Sequence, residues 1–242
     1  MSDPQARIVA VAELDLVYEP APWVFAQSRA DEIAAHWAAR KAILPRLFNG
    51  RVLLSGSHAF VPRVDGATIL RAAYFETDYK AFLAWRDFGF PDAQVCNCFS
   101  MAALQASDGA FLLGEMAAHT ANAGLVYFAA GTPDPSDIVD GRVDLAASVR
   151  RELLEETGIS ADEVAMAEDW TVVCAPARVA CMKIMRMAET AQAIKSRIES
   201  YLSEDSHAEL RRMHIVRRKR EIDALNSPRF VADFLREALS DA

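Results

Sequence analysis

The sequence has few of the features that mark zinc sites, secretion or membrane insertion. It has only four cysteines, and Cys96-x-Cys98 is not a zinc spacing because no second pair follows at a matching interval. The five histidines (His36, His58, His119, His207 and His214) form no metal-ligand spacing either. No apolar run approaches the ~20 residues of a membrane span, and the N-terminus lacks a charged-then-apolar signal layout. We therefore expect free thiols and a cytoplasmic protein that does not bind membranes.

An excess of positive charge is also absent. Lysine and arginine number 26 against 34 aspartates and glutamates, for a net charge of −8. This balance argues against binding to a nucleic acid polymer. It leaves open a small phosphorylated substrate, since a bound divalent cation reverses the local field. With 52% hydrophobic residues over 242 positions, the chain can form one large domain or a main domain with a smaller partner.

The most informative segment is residues 151–159, which read Arg-Glu-Leu-Leu-Glu-Glu-Thr-Gly-Ile. On a helix, Glu152, Glu155 and Glu156 are spaced i, i+3 and i+4 and share one face. Gly158 stands where such a helix would end, so the carboxylates crowd the negative end of its dipole. A cation held between them would offset the repulsion, and carboxylate oxygens are the ligands that Mg²⁺ prefers. The alternative is a solvated acidic helix face.

This segment matches every specified position of Arg-Glu-U-x-Glu-Glu-x-Gly-U, where U is aliphatic. A chance match in a chain of this length is on the order of 10⁻⁵ from average residue usage. The pattern is the second half of the Nudix box, and the chain resembles the Nudix hydrolase superfamily. The resemblance implies a pyrophosphohydrolase with Mg²⁺ as cofactor, or Mn²⁺ as the alternative ion. The implied metal ligands and catalytic residues are Glu152, Glu155 and Glu156.

The resemblance also suggests roles for residues near the box. In the family, the arginine at Arg151 orients a box glutamate, although its spacing from Glu155 equally allows a plain surface ion pair. Relatives draw the general base from the box or from a later loop. The acids available in later loops are Glu168, Asp169, Glu204, Asp205 and Glu209. Our candidate is Glu209, because relatives often place an acid beside the metals just before the last strand. The alternative for each of these acids, Glu209 included, is a solvated position in a loop.

The first half of the box departs from the family pattern. The upstream glutamate position is Val143, and the glycine position is Asp137. A glycine lies further back at Gly131, so we interpret residues 131–143 as a lengthened loop. Gly131 is then either a substrate-binding residue or an ordinary turn glycine. Asp144 is expected to cap the motif helix, with a site role as the second option.

Hydrophobic periodicity predicts an α/β fold. Helices are expected at 28–44, with a capping box at its start, and at 78–88, 145–157, 190–203 and 228–240. Strands are expected at 7–18, 51–62, 67–77, 111–114, 125–130, 171–175, 179–185 and 213–216, with a buried segment at 96–105. This pattern suits a Nudix-like α/β/α sandwich on a mixed sheet. We place a smaller N-terminal α+β extension at residues 1–92 and the Nudix domain at residues 93–242.

A weaker likeness points to the substrate. Residues 37–50, with Arg40 and Leu-Phe-Asn-Gly, followed by Tyr79-Lys-Ala-Phe, are similar to the Nudix subgroup that cleaves UDP-glucose and UDP-galactose. We therefore expect hydrolysis of a nucleoside diphosphate linked to another moiety, such as a nucleotide sugar or an ADP-ribose-type compound. The sequence leaves the oligomeric state open; a homodimer is one option, since homodimers are common among relatives. The alternative is a non-catalytic domain that binds a nucleotide or a protein.

Overall fold

The computed structural model describes residues 6–240, and its first elements build most of a smaller sheet. In chain order they are β1 (Arg7–Val11), β2 (Glu13–Tyr18), α1 (Val24–Ser28), α2 (Ala30–Ile43), β3 (Arg51–Pro62), β4 (Thr68–Asp78) and α3 (Tyr79–Asp87). The capping box predicted at Ser28 is wrong, because Ser28 ends α1 and the residue before α2, Arg29, makes no side-chain cap. The single strand predicted at 7–18 divides at Ala12, and its halves join different sheets.

The central segment contributes β5 (Asn97–Gln105), β6 (Phe111–Met116), β7 (Val126–Tyr127), β8 (Ala129–Gly131), β9 (Ile138–Val139), β10 (Arg142–Val143) and the motif helix α4 (Leu145–Thr157). Within the predicted loop 131–143 lie a 3₁₀ turn, Pro135–Asp137, and the β9–β10 hairpin. Asp140 and Gly141 form the hairpin turn, with φ of 49° and 75°. Positive φ at both central residues is the requirement of a type I′ turn, which favours Asp-Gly.

The C-terminal part completes the larger sheet with β11 (Ala165–Met166), β12 (Trp170–Ala175), β13 (Arg178–Arg186), α5 (Ala191–Glu204), β14 (Leu210–Val216) and α6 (Arg229–Ala238). The main strands of this sheet lie in the order β1-β12-β13-β5-β6-β14. Strand β13 runs parallel to β5, whereas β12 and β6 pair antiparallel with their neighbours. The predicted α/β class with a mixed sheet is therefore confirmed. Helices α4, α5 and α6 pack against this sheet and bury its apolar side chains.

The smaller sheet has the order β3-β4-β2-β10-β9, and β2 runs parallel to β4. A separate hydrophobic cluster joins it to α1, α2 and α3, with Trp85, Leu54 and Phe82 at its centre. Each sheet includes a strand from the other side of residue 92. Strand β1 pairs with β12 of the larger sheet, and β10 pairs with β2 of the smaller one. The division at residue 92 stays a prediction.

Two simpler expectations can be compared directly with the structure. All four cysteines are free thiols, as predicted, and three of them are buried. Within residues 6–240, no helix is both long enough and apolar enough to cross a membrane.

Candidate active site

Helix α4 has the predicted bounds, and both of its ends are fixed by side-chain or backbone geometry. The Asp144 carboxylate accepts hydrogen bonds from the N–H groups of Ala146 and Ala147, each at 2.9 Å. Gly158 ends the helix with φ of 70°, a conformation that glycine adopts without strain. The capping role of Asp144 is thus confirmed. Its second option, a site role, stays a prediction, and Asp144 does not line the cleft described below.

The three box glutamates have different surroundings. Glu156 is buried at 7% exposure; its Oε1 accepts the Ala130 N–H at 3.2 Å, and its Oε2 is buried without a hydrogen-bond partner. The Glu152 side chain is 15% exposed, whereas Glu155 is exposed. Successive residues turn about 100° around a helix, so Glu155 points well away from its neighbour Glu156. Glu152 and Glu156 therefore share a face as predicted, whereas Glu155 is turned towards solvent.

The electrostatics of the inward-facing pair favour a bound cation. Burial raises the pKa of Glu152 to about 7, and the charges of Glu155 and Glu209 add to the shift while Arg151 opposes it. Burial also raises the pKa of Glu156 well above its usual range. Two desolvated carboxyl groups and an unpartnered buried oxygen suit a divalent metal. Within residues 6–240, no three acids, histidines or cysteines cluster tightly enough to form a complete metal site. The ligand role of Glu155 stays a prediction.

Arg151 has a partner that the sequence did not reveal. Its Nη1 donates to Asp137 Oδ1 at 2.6 Å and its Nη2 to Oδ2 at 3.2 Å, while Nη2 also lies 3.4 Å from Glu152 Oε1. The i, i+4 pair with Glu155 does not form. The sequence marks Asp137 only as the position where the family pattern has glycine, yet Asp137 is 2% exposed and accepts the Asp134 N–H at 3.0 Å. This carboxylate anchors the segment before α4 to Arg151, which touches Glu152.

Glycine is required at position 131 because the Glu152 carboxylate lies close to the backbone there. It is the last residue of β8, and its φ is not positive, so it is not a turn glycine. A Cβ at this position would overlap the carboxylate of Glu152. The glycine therefore leaves the space that Glu152 fills. Its predicted role in binding substrate stays a prediction, although Gly131 lines the same cleft.

Glu152 and Gly131 open onto a cleft of about 1150 Å³. Glu152, Gly131 and Glu209 line it on the side of the larger sheet, and Tyr79 and Arg86 line it from the N-terminal segment. Glu209 is exposed, and its charge raises the pKa of both Glu152 and Glu156. The other four acids considered as general base do not line the cleft.

Sequence analysis missed one further group in the cleft. Arg86 Nη1 donates to Asn122 Oδ1 at 3.0 Å, and Asn122 Nδ2 donates to the Tyr127 hydroxyl at 3.0 Å. These residues come from α3, the β6–β7 loop and β7. No local motif joins such distant positions, so only the folded chain brings them together.

No family model matches the chain, and no curated protein matches it. Similar solved structures include protein DR0079 from Deinococcus radiodurans, at 11% identity over 59% of this chain and 83% of that chain, with a TM-score of 0.41. The Nudix hydrolase RenU from M. smegmatis is 15% identical over 58% and 82%, with a TM-score of 0.37. MutT protein from Methanosarcina mazei Go1 is 17% identical over 58% and 91%, with a TM-score of 0.36.

The chain is similar to Nudix hydrolases. Residues 151–159 match the second half of the Nudix box in sequence. Identities of 11–17% and TM-scores of 0.36–0.41 support no inference about activity or substrate. Any such inference rests on the residues of the cleft. The likeness to the subgroup that acts on UDP-sugars stays a prediction.

Proposed function

We propose that this protein is a metal-dependent hydrolase that cleaves the diphosphate bond of a nucleoside diphosphate linked to another moiety. The observation that supports this most directly is the pair Glu152 and Glu156. Glu152 lines a large cleft with its side chain 15% exposed, and one helical turn further on Glu156 is buried with no partner for its Oε2. A buried carboxylate without compensation is unfavourable, so such an arrangement is expected where a cation binds.

The residues that would hold the metal are Glu152 and Glu156, with Glu155 added by the family pattern. A divalent ion, Mg²⁺ or alternatively Mn²⁺, would neutralise the charge of the diphosphate and orient the attacked phosphorus. Arg151 acts as a positioning residue, because it is fixed by Asp137 and lies 3.4 Å from Glu152. Gly131 allows Glu152 to approach the strand edge closely.

Glu209 is our candidate for the general base. It lines the cleft together with Glu152, and it is exposed, so water can reach it. A general base must be ionised and within hydrogen-bond reach of the water that it activates. Glu152 and Glu156 are assigned to the metal, so their carboxylate oxygens would not be free to take the proton from water.

The substrate class that we would test first is a nucleotide sugar such as UDP-glucose, followed by ADP-ribose-type compounds. The cleft volume of about 1150 Å³ exceeds the roughly 300–1,000 Å³ of pockets for drug-sized ligands. Tyr79 and Phe82 give it aromatic lining. A ligand with two bulky ends joined by a diphosphate would use this space.

The exposed position of Glu155 favours a second candidate function. A domain in which Glu152 alone of the three box glutamates lines the cleft could bind a nucleotide or a protein without hydrolysing anything. Such a domain would not need the approach of Glu152 to Gly131 or the anchoring of Arg151 by Asp137.

One experiment separates the two functions. Nucleotide sugars, ADP-ribose and dinucleotides are incubated with Mg²⁺ or Mn²⁺, and phosphorylated products are measured. Glu156→Gln should lower turnover by orders of magnitude without loss of fold, and it should weaken Mn²⁺ binding measured by calorimetry. Glu237→Gln, at an exposed position on α6, is the matched control. Thermal stabilisation by a nucleotide with no product would support the binding domain. Wild-type rates in Glu156→Gln would refute the assignment.

A further inference from the structure

A second charged region of the cleft is centred on Arg178. This residue begins β13, directly after Ala177, and it is half-buried where it lines the cleft. Its guanidinium carbon lies 4.7 Å from the centre of the Phe90 ring. Throughout residues 6–240, no carboxylate lies within 4.0 Å of the guanidinium of Arg178. Burial, with a contribution from the charge of Arg86, lowers the pKa of Arg178. This cation is therefore desolvated without a protein anion to compensate it.

Phe90 is held firmly in the place where it supports Arg178. Its φ is 60°, a left-handed conformation that bulky residues rarely adopt, and the surrounding structure must maintain it. The Phe90 N–H donates to the Trp85 carbonyl at 2.9 Å. The Phe90 ring meets the fully buried Trp85 ring edge-on at 4.8 Å. The core of the N-terminal segment thus positions a residue that acts on the larger sheet.

Arg86 adds a second cation to the same region. It lines the cleft from α3, and its Nη1 is oriented by Asn122. The charge of Arg86 acts on Arg178, so the two guanidinium groups share one electrostatic environment. Because Arg86 Nε is already paired with Asp87 Oδ1 at 3.1 Å, Arg178 is the guanidinium left to bind an oxyanion of a ligand, with Arg86 beside it.

Arg178 lies apart from the glutamate region along the larger sheet. On β5, Asn97 pairs with Arg178, whereas Ser100 pairs on the opposite edge with Gly131, whose backbone the Glu152 carboxylate approaches. Three residues along one strand and two strand spacings across it separate the backbones of Arg178 and Gly131 by about 14 Å. A diphosphate held near Glu152 would leave Arg178 to contact another part of the ligand. Arginine binds carboxylate and phosphate through two parallel hydrogen bonds, so that part should be an oxyanion.

We propose that Arg178, supported by the Phe90 ring and assisted by Arg86, binds an additional acidic group of the substrate. The natural substrate is then a nucleoside diphosphate derivative that carries a carboxylate or a phosphate beyond its diphosphate. This proposal rests on the proposed function, because it assigns the glutamate region to the diphosphate. It makes Arg178 a specificity-determining residue.

The test compares ligands that differ by one acidic group. UDP-glucuronate is matched with UDP-glucose, and NADPH with NADH, and binding to the full chain is measured by calorimetry in EDTA. We expect the acidic member of at least one pair to bind about tenfold more tightly, as hydrogen bonds to charged groups suggest. A preference within the first pair identifies a carboxylate, and one within the second identifies a phosphate. Equal affinities within both pairs would overturn the proposal.

Variants assign the preference to Arg178. Arg178→Gln should abolish it, and Arg178→Lys should retain part of it, because lysine keeps the charge but not the planar fork. Arg186→Gln is the control, since Arg186 is exposed at the other end of the same strand. Full preference in Arg178→Gln would overturn the proposal. If Arg178→Gln does not fold, the affinities of the wild-type protein for the two ligand pairs decide whether the proposal stands. Because EDTA prevents turnover, a failed hydrolase assignment would leave these affinity ratios unchanged.

Discussion

The carboxyl group of Glu152 links pH, metal and stability at the scale of a single residue. Its pKa is raised from 4.5 to about 7 in the folded chain. The folded protein therefore holds this proton more tightly than the unfolded chain does. The resulting stabilisation is fully present below about pH 4.5 and is lost as the pH rises to about 7. The loss amounts to about 3 kcal/mol, at 1.36 kcal/mol for each pH unit.

We therefore expect the metal-free protein to lose stability between pH 4.5 and 7. Urea denaturation across this range measures it. Glu152→Gln should make the free energy of unfolding less dependent on pH in this range. Saturating Mg²⁺ should reduce the loss of stability, because it stabilises the ionised form of Glu152. Glu156 contributes in the same direction, because its pKa is also raised. A Glu152→Gln profile that matches the wild type would show that Glu152 titrates normally.

Gly131 allows a second test at a single position. Gly131→Ala places a Cβ on the Glu152 carboxylate, so that carboxylate must move. We expect strongly reduced Mn²⁺ affinity and a destabilisation of about 1–3 kcal/mol, as overpacking typically gives. Gly56→Ala is the matched strand control, because its Cβ would meet only Phe75 atoms at ordinary distances of 3.6 Å and beyond. Unchanged metal affinity in Gly131→Ala would argue against Glu152 as a ligand.

The pair Arg151 and Asp137 connects two segments, the turn before the hairpin and helix α4. The Asp137 side chain is fully buried in this contact. Arg151→Gln leaves that charge without a partner and should destabilise the fold by about 3–5 kcal/mol. Arg151→Gln/Asp137→Asn should recover part of the loss, and denaturation of the four species gives the coupling energy. Additive effects of the two substitutions would mean that the ion pair contributes nothing.

Gly141 lies in the turn of the β9–β10 hairpin, and Gly158 ends helix α4. Both have positive φ, but only Gly158 has a neighbour, the Tyr201 ring, which an added Cβ would approach to 2.7 Å. Gly141→Ala should cost about 1 kcal/mol from strain alone. Gly158→Ala should cost clearly more, because α5 must also shift. Equal losses of free energy of unfolding would show that Tyr201 moves away freely.

Elements with strong periodicity could be predicted from the sequence, and the 151–159 motif located α4 with its ends. The β9–β10 hairpin was missed because Asp140-Gly141 joins strands of only two residues, too short to show alternation. The division of 7–18 was missed for another reason. Its two halves have similar sequence patterns, and they are distinguished only by long-range pairing, of β1 with β12 and of β2 with β4. In the site, Asp137 and Arg178 were missed because their roles depend on partners 14 and more residues away.

At the scale of the whole molecule, the cleft is built from both parts of the chain. Phe90 and Arg86 come from the part before residue 92, whereas Glu152, Glu209 and Arg178 come from the part after it. The predicted boundary at residue 92 can be tested by producing residues 93–242 alone. This fragment lacks β1, so the edge of β12 is unpaired, and exposed edges promote aggregation.

We expect residues 93–242 to be aggregated or loosely folded, as judged by gel filtration and near-ultraviolet circular dichroism. Addition of residues 1–92 during refolding should restore a compact species, since that piece supplies β1 and β2 together. A monomeric, cooperatively unfolding fragment would show that the C-terminal part is autonomous. Gel filtration of the full chain in the same series tests whether it forms a homodimer.

The division of residues 7–18 between two sheets has a consequence for how this protein can diversify. A crossover that replaced the first ninety or so residues with those of an unrelated gene would remove one edge strand of the larger sheet and one wall of the cleft at once. Swapping of whole modules is therefore disfavoured in this lineage. New ligand preferences should arise instead through point substitutions along the inner wall, where Phe90 and Arg86 can change while β1 stays in place.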